Sequence, residues 1–356
     1  MNKINIRDKV IGDDASCFIT FEAGPTHSGF ESAKEMVRLA AESGADAVKF
    51  QMTDADRLMA CKEQLFAYKI LVNKQTGETK SIEESLHQVL NRRNFDRAQW
   101  RALKAYADEQ GIAFFATACF ADEIEFLAEI GCDSVKIASA DVNHTSLLKA
   151  AAKSGMVIQL DTGNASIGEI ENAVDLIEEN GSDKIIIHHC PSGYPAHLPS
   201  INLKMIGTLK SMFDYPIAFS DHTPGWDMDI AAVTLGANLI EKTITFDRAT
   251  PSVEHIMSIE QEDFVPFVSA IRDLEVALGN GRRALSNEQR ENRKAVRRGV
   301  YLVEPGKKGQ LLKDCLVEFK RPENGLSAAD WELLADMKLT DDLRAGEAIS
   351  RHHLNT

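Results

Sequence analysis

The feature that most constrains this chain is an alternation of strand-like and helix-like segments that repeats eight times. Short apolar segments rich in Val, Ile and Phe are each followed by apolar residues at three- and four-residue spacing, which is typical of a strand followed by a helix. The strand segments are almost continuously apolar, as expected for parallel strands covered on both faces. Because parallel connections are right-handed, eight such units predict an α/β fold in the form of a (β/α)8 TIM barrel. The predicted strands are Cys17–Ala23, Ala45–Gln51, Ile112–Thr117, Asp133–Ser139, Met156–Thr162, Lys184–Cys190, Pro216–Asp221 and Asn238–Thr243.

Two interruptions of this pattern define the expected domain organisation. About 60 residues separate the second and third strands, so we expect an insertion above the barrel mouth, where it is a candidate lid. The barrel is expected to span residues 1–281 and to be followed by a basic linker, 282–298. Residues 299–356 contain short β-like pieces and turn signals, and they predict a small β-rich second domain.

Charge and cysteine content restrict the partners of the chain. Lys and Arg number 40 and Asp and Glu number 54, which gives a net charge of −14. This balance argues against nonspecific binding to nucleic acid or to anionic membranes, so an anionic ligand needs a local basic pocket. The six cysteines form no C-x-x-C pair, and the polar N-terminus does not resemble a signal peptide. We therefore expect reduced thiols and a cytoplasmic location.

The candidate ligand-binding groups collect where the predicted strands end, which is where the active sites of these barrels lie. Lys49, Lys136 and Lys242 end three apolar strands. Buried lysines are rarely unpaired, so they predict a bound anion. The alternative is ion pairing with the neighbouring acids Glu22, Asp161 and Glu241. The hydroxyls of Thr117, Ser139 and Ser220 would complete a cradle for phosphate or carboxylate. No nucleotide-binding motif follows any strand, so no nucleotide cofactor is expected.

Seven segments, taken in order along the chain, carry a resemblance to a known family. Together they resemble the sialic acid (N-acetylneuraminate) synthase family, which includes other nonulosonic acid synthases and proteins of spore coat polysaccharide synthesis. The C-terminal module is similar to the antifreeze-like (SAF) domain of that family. The segments are Glu22-Ala-Gly-Pro-Thr-His-Ser-Gly29, Gly44-Ala-Asp-Ala-Val-Lys-Phe-Gln51, Lys136-Ile-Ala-Ser139, Leu160-Asp-Thr-Gly163, His189-Cys-Pro-Ser-Gly-Tyr-Pro195, Ser220-Asp-His-Thr223 and Lys320-Arg-Pro322.

The resemblance implies a synthase for surface polysaccharide biosynthesis. Phosphoenolpyruvate would condense with an open-chain N-acetylated amino-sugar aldehyde to give a sialic-acid-like nonulosonic acid and phosphate. A divalent metal, Mn²⁺ or Mg²⁺, would polarise the aldehyde oxygen while C3 of phosphoenolpyruvate attacks. Water would then add at C2 before phosphate leaves by C–O cleavage.

The resemblance also implies roles for individual residues. Glu22 corresponds to a proton-handling glutamate, and His222 to a catalytic metal ligand. Of the adjacent His188 and His189, only one can point into the barrel, and His189 matches the family motif. Arg321 corresponds to an arginine that the SAF domain presents to the barrel of its partner, so a homodimer is expected. The phosphoenolpyruvate positions are Lys49, Thr117, Lys136, Ser139, Ser192 and Ser220, and the sugar-side positions are Gln51, Asp141, Tyr194 and Glu254.

Two substitutions depart from the family pattern at the chemistry itself. Thr243 stands where a second metal-binding histidine is usual, and Asp161 stands where a phosphate-binding serine is usual. Two unit charges ~4 Å apart repel by about 4 kcal/mol at an effective dielectric constant of 20. Asp161 would therefore need to pair with Lys136 or Lys242, or to bind a relocated metal. His222, Glu254 or His255 would then be neighbouring ligands.

Two alternative functions remain open at this point. One is a class I aldolase, in which Lys136 or Lys242 would form a Schiff base. The other is a non-catalytic sugar- or phosphate-binding paralogue, or a protein with a different substrate, as Asp161 and Thr243 suggest.

Overall fold

The computed structural model describes residues 2–355. The chain divides into two compact units, Met1–Gly279 and Asn280–Thr356. The strands are β1 (Ile4–Ile6), β2 (Lys9–Ile11), β3 (Phe18–Glu22), β4 (Ala47–Gln51), β5 (Leu65–Asn73), β6 (Glu78–Ser85), β7 (Ala113–Thr117), β8 (Ser134–Ile137), β9 (Val157–Asp161), β10 (Ile185–His189), β11 (Ile217–Asp221), β12 (Leu239–Thr243), β13 (Gly299–Leu302), β14 (Val317–Lys320), β15 (Lys338–Leu339) and β16 (Leu354–Asn355). The α-helices are α1 (Phe30–Glu42), α2 (Ala55–Leu58), α3 (Leu86–Asn91), α4 (Arg97–Glu109), α5 (Ala121–Glu129), α6 (Thr145–Lys153), α7 (Ile167–Glu179), α8 (Leu198–Ile201), α9 (Met205–Met212), α10 (Asp227–Thr234), α11 (Gln261–Leu278), α12 (Asn287–Val296) and α13 (Ala328–Leu333).

The first unit is a closed parallel barrel, which confirms the predicted fold. Its strands follow the order β3-β4-β7-β8-β9-β10-β11-β12, and β12 pairs with β3 to close the ring. Side chains alternate between the barrel interior and the surrounding helices, because successive strand residues point to opposite faces. The outward face packs in one large core with α1, α4, α6, α7 and α11. Both faces are therefore buried, which explains the continuous apolar segments in the sequence.

A hairpin that the sequence pattern does not predict closes the N-terminal end of the barrel. Strands β1 and β2 pair antiparallel. Ile4, Ile6 and Ile11 pack in one apolar cluster with the first inward-facing residues of the barrel strands, such as Phe18 and Ala113. This floor is apolar, so polar side chains inside the barrel lie nearer its other end.

The insertion between the second and third barrel strands forms a second hairpin. Strands β5 and β6 pair antiparallel and lead into the short helix α3. Tyr68 of β5, Val89 of α3 and Val253 of the loop after β12 form a separate apolar cluster. This cluster holds the insertion against the loops at the C-terminal end of the barrel.

The second unit contains two small antiparallel strand pairs, β13–β14 and β15–β16. Its core is formed by nine buried residues, Val300, Leu302, Leu312, Cys315, Leu326, Leu339, Leu343, Ile349 and Leu354. The basic segment 282–298 belongs to this unit and contains helix α12, which begins at a capping box of Ser286 and Gln289 and buries none of its side chains. Among residues 2–355, no helix is both long and apolar enough to cross a membrane.

Candidate active site

A cavity of about 410 Å³ opens at the C-terminal ends of the barrel strands. Its inner wall is polar and comes from the barrel, and much of its outer wall is apolar and comes from the insertion and from Val253. Eight of the predicted site residues line it: Lys49, Gln51, Thr117, Ser139, Asp161, Tyr194, His222 and Glu254. The remaining lining includes Glu241, Arg93, Leu58, Met59, Phe66, Leu86, Val89 and Leu90.

Beneath the cavity lies a buried cluster of two lysines and three carboxylates. Lys49 Nζ is 2.7 Å from Glu241 Oε1 and also contacts Glu22. Lys136 Nζ is 2.7 Å from Glu241 Oε2 and 3.0 Å from Asp161 Oδ1. Glu241 therefore bridges both lysines. The structure contains the internal ion pairs that the sequence analysis gave as the alternative to a bound anion.

Hydroxyl and imidazole groups complete the hydrogen bonds of this cluster. Lys136 Nζ donates to Ser220 Oγ at 2.7 Å, and Ser220 Oγ in turn donates to Glu241 Oε1 at 3.1 Å. His188 Nδ1 is 3.3 Å from Lys136 Nζ, and His188 Nε2 is 2.9 Å from Gln159 Oε1. A low-dielectric interior strengthens such a network, and each group in it depends on its partners.

The pKa values in this cluster reflect two opposing effects: burial disfavours the charged form of each group, and the ion pairs favour it. Burial lowers the pKa of Lys49, even though Glu241 lies beside it. Burial also opposes the charge of Lys136, but Asp161 and Glu241 hold its pKa above the usual value. For Glu241, Lys136 and Lys49 overcome burial and hold its pKa well below the usual value. Burial and Lys136 lower the pKa of His188 well below 6.5, so this imidazole is neutral.

The loop after β3 positions Glu22 within the same cluster. Gly24 N–H donates to Glu22 Oε1 at 2.6 Å. A Cβ at position 24 would lie 2.6 Å from both Gln51 N and Glu22 Oε1, so only glycine fits there. The carboxylate of Glu22 is fixed beside Lys49, at the base of the cavity.

Lys242 does not belong to this cluster, which corrects the expectation that three lysines surround one anion. It follows Glu241 on β12 and so points to the outer face of the barrel. There its Nζ contacts Asp221, donates to Thr223 O at 2.7 Å and lies 3.5 Å from Asp229 of α10. Lys242 thus links β12, the β11 loop and α10 rather than facing the cavity.

The expectation for the histidine pair was also wrong. His188 points into the barrel, whereas His189 points outward, where its Nε2 is 2.6 Å from Ile201 O and its ring packs near Phe219. The two residues are adjacent on β10, so one must face each way. The inward position belongs to the residue in register with Asp161 of β9.

The outer part of the cavity brings together Tyr194, His222, Glu254 and Arg93. The Tyr194 and His222 rings have centroids 4.9 Å apart, and His222 Nδ1 is 3.0 Å from Pro191 O. Burial raises the pKa of Glu254, and the guanidinium of Arg93 lies near enough to oppose this shift. Arg93 Nη2 donates to Ser252 Oγ at 2.7 Å. These groups can hydrogen-bond a polyhydroxylated ligand.

The donor set does not fit a resident transition-metal ion. His222 offers one nitrogen, and Thr243, which follows Lys242 on β12, supplies no second imidazole. Across residues 2–355, no group of three His, Cys, Asp or Glu side chains is arranged to hold a metal ion. His255, named above as a possible ligand, is buried with its Nδ1 2.7 Å from Thr245 Oγ1.

Some predicted site residues of the first unit do not line the cavity, and one predicted residue belongs to the second unit. Asp141 is near His144, with Oδ1 3.6 Å from Nδ1. Ser192 is exposed and donates to Asn164 Oδ1 at 3.0 Å. Arg321 is exposed in the second unit, directly after β14. Glu22, Lys136 and Ser220 belong to the buried cluster beneath the cavity.

Three residues of the site, Glu241, His188 and Arg93, were not among the predicted site residues. Glu241 was recognised only as a possible ion-pair partner, although its place at a strand end is the same signal that selected Lys49 and Lys136. His188 shares the inward phase of β10. Arg93 comes from the insertion, where the sequence offers no periodicity that would place it at the cavity.

Comparisons with known proteins agree with this architecture. The sequence pattern of the NeuB family matches residues 36–283. The chain is 32% identical to N,N′-diacetyllegionaminic acid synthase of Campylobacter jejuni, over 93% of this chain and 98% of that protein. It is 31% identical to the spore coat polysaccharide biosynthesis protein SpsE of Bacillus subtilis, over 94% and 92% of the two chains. The crystal structure of N-acetylneuraminic acid synthetase from Leptospira borgpetersenii, in complex with citrate, superposes with a TM-score of 0.70 at 30% identity and covers 82% of this chain and 95% of that one.

Proposed function

This chain belongs to the NeuB family, and from that premise we propose that it condenses phosphoenolpyruvate with an N-acetylated amino-sugar aldehyde. The product is a sialic-acid-like nonulosonic acid, released with inorganic phosphate for surface polysaccharide biosynthesis. The observation that carries the proposal is the cavity at the barrel mouth. Lys49, Thr117 and Ser139 line it, with Lys136 and Ser220 buried directly beneath. Tyr194, His222 and Glu254 line its outer part.

The residues of the inner wall, together with those buried directly beneath it, suit the binding of phosphoenolpyruvate. Lys49 and Lys136 supply compact positive charge, and the hydroxyls of Thr117, Ser139 and Ser220 supply directed hydrogen bonds. With the ligand held there, C3 of phosphoenolpyruvate faces the outer half of the cavity. An aldehyde bound among Tyr194, His222 and Glu254 then presents its carbon to C3.

The proposed reaction balances without an oxidant or reductant. C3 forms the new C–C bond, and the aldehyde oxygen takes up a proton and becomes a hydroxyl group. Water adds to C2, and the bond from C2 to the phosphate oxygen breaks, so that the water oxygen becomes the keto oxygen. Glu22, fixed by Gly24 and Lys49, is the carboxylate that takes one proton from this water, which offsets the proton gained by the aldehyde oxygen. The second proton of the water leaves with the phosphate.

None of these reaction steps involves the Mn²⁺ or Mg²⁺ expected from the family resemblance. The protein groups supply one imidazole, from His222, and within residues 2–355 no group of three His, Cys, Asp or Glu side chains is arranged around it. The roles assigned to the protein above rest on its lysines, hydroxyls and carboxylates alone.

The Schiff-base alternative loses both lysines that were considered for it. Lys136 is paired with two carboxylates and its pKa is raised, so its amine is a weak nucleophile. Lys242 lies on the outer face of the barrel with Asp221. Borohydride treatment in the presence of pyruvate should therefore leave no covalent adduct on Lys136 or Lys242.

The remaining parts of the proposal concern the whole protein. The β-rich second unit is assigned as a SAF-like domain, and Arg321 as its contribution to the barrel of a partner subunit in a homodimer. Six free thiols support a reducing, cytoplasmic location.

The test is phosphate release from phosphoenolpyruvate in the presence of a panel of N-acetylated aldoses. We expect release to require both substrates and to be lost in Lys49→Met. Lys153→Met, which changes an exposed lysine of α6, should behave like the unmodified protein. Failure to bind phosphoenolpyruvate, with or without Mn²⁺, would remove the proposal.

A further inference from the structure

Asp161 makes the contacts that a bound anion would make in this site. Its Oδ1 lies 3.0 Å from Lys136 Nζ and 3.4 Å from Ser220 Oγ. These are two of the groups assigned above to phosphoenolpyruvate. The carboxylate also lines the cavity, so it stands between the cradle and an incoming ligand.

The charges around Asp161 leave no lysine of the cluster free for a new anion. The residue is faced by Lys136 of β8, His188 of β10, Ser220 of β11 and Glu241 of β12, with Lys49 and the Cys190 thiol further along the wall. Two lysines meet three carboxylates, those of Glu22, Asp161 and Glu241. His188 adds no positive charge, because burial and Lys136 keep its imidazole neutral.

Asp161 is also the one carboxylate of the three that has room to leave. Its side chain is 13% exposed, against 3% for Glu22 and 5% for Glu241. It is the last residue of β9, so it can turn towards the cavity without disturbing the strand. Lys136 would keep Glu241 and Ser220 as partners after such a movement.

We propose that Asp161 is an internal anion that occupies part of the phosphate cradle and must be displaced from Lys136 when a phosphate-bearing ligand binds. Where the ligand is phosphoenolpyruvate, this inference rests on the proposed function. Asp161 then sets the affinity of the cradle for anions. It also sets selectivity, because repulsion from its negative charge is greater for a phosphate dianion than for a singly charged carboxylate.

The experiment is calorimetric titration of the full-length protein with inorganic phosphate and, separately, with pyruvate. Asp161→Asn keeps the shape and removes the charge, and Asp161→Ser is a second, smaller replacement. We expect both to bind phosphate roughly 10- to 1000-fold more tightly than the unmodified protein, since Lys136 already offsets part of the full repulsion. The gain for pyruvate should be smaller.

Glu254→Gln is the matched control, because it makes the same carboxyl-to-amide change in the same cavity but leaves Lys136 untouched. Equal tightening by Glu254→Gln would overturn the proposal in favour of a general field effect. Unchanged or weaker phosphate binding in both Asp161 variants, with their melting temperatures preserved, would also overturn it. If Asp161→Asn does not fold, Asp161→Ser decides on the same criteria.

The proposal and the function can fail separately. Tighter phosphate binding without sugar-dependent phosphate release would keep the role of Asp161 and remove the synthase. Sugar-dependent release by the unmodified protein, with no tightening in the variants, would keep the synthase and remove the role of Asp161.

Discussion

Glu241 controls the charge of two buried lysines at once. Each of its oxygens accepts from a different lysine, Oε1 from Lys49 and Oε2 from Lys136, both at 2.7 Å. Removing one partner of a buried ion pair costs about 3–5 kcal/mol, because the other charge stays buried. We therefore expect Glu241→Gln to lower the free energy of unfolding by about that amount, measured by urea denaturation at neutral pH.

The pH dependence and a matched variant test this explanation. The lysines hold the folded-state pKa of Glu241 well below 4.5, so its stabilisation is present above its unfolded pKa and is lost as the pH falls. The difference between Glu241→Gln and the unmodified protein should be constant near neutrality and shrink below about pH 4.5. Glu22→Gln should cost less, because Lys49 keeps Glu241. A difference that does not change with pH would contradict the electrostatic origin.

For single residues, the sequence predicts which side chains end the strands better than it predicts the face of the barrel to which each side chain points. Lys49 and Lys136 were predicted to lie together, because both end strands of a barrel. Lys242 ends a strand as well, but it shares β12 with Glu241 and faces α10. Both faces of these strands are buried, so the apolar pattern does not show which residues point into the barrel. Which of His188 and His189 points inward could therefore be assigned only from the structure.

The insertion supplies a wall of the candidate site that the barrel cannot form alone. Phe66, Leu86 and Val89 line the cavity, and Tyr68 packs with Val89 and Val253 behind it. The sequence predicted an insertion and its location as a lid, from its length between two strands. It did not predict a hairpin, because the polar residues of β6 show no clear apolar alternation.

Tyr68→Ala should loosen this wall. Tyr68 is 5% exposed, and its truncation removes the largest of the three buried side chains of the cluster and leaves a cavity beside Val89 and Val253. We expect the KM for the aldose to rise roughly tenfold, equivalent to about 1.4 kcal/mol of lost positioning, with a smaller effect on the KM for phosphoenolpyruvate. Steady-state kinetics with each substrate varied in turn would measure both values.

The control for this prediction lies on the same strand. Val72 is 52% exposed on β5, so Val72→Ala should leave both constants unchanged. An equal rise of the two KM values, for the aldose and for phosphoenolpyruvate, in Tyr68→Ala would contradict this prediction. It would show that the hairpin supports the structure of the whole cavity rather than the aldose-binding part. The melting temperature should change little, since this cluster is separate from the barrel core.

For the whole molecule, an anionic ligand must reach two buried lysines inside a negatively charged protein. A protein with a net charge of −14 repels anionic ligands at long range, as the composition indicates. The lysines that would bind phosphoenolpyruvate lie inside the barrel, where Lys136 is fully buried and little screened by salt. The position of Arg321 relative to any barrel cannot be derived from composition or periodicity, because neither carries information on how one unit meets another.

Complementation between two inactive variants would test whether Arg321 acts in the partner's barrel. Glu22→Gln removes the proposed proton acceptor of the barrel, and Arg321→Ala removes the proposed contribution of the second unit. Each homodimer should be inactive or nearly so. In a heterodimer purified through two different tags, the barrel with intact Glu22 would receive Arg321 from the other subunit. One of two sites is then complete, and we expect about half of the activity of the unmodified dimer.

If Arg321 instead serves its own barrel, neither site is complete and the heterodimer stays inactive. A monomer in size-exclusion chromatography with full phosphate-release activity would contradict the shared site directly, because no partner would then be present to supply the arginine.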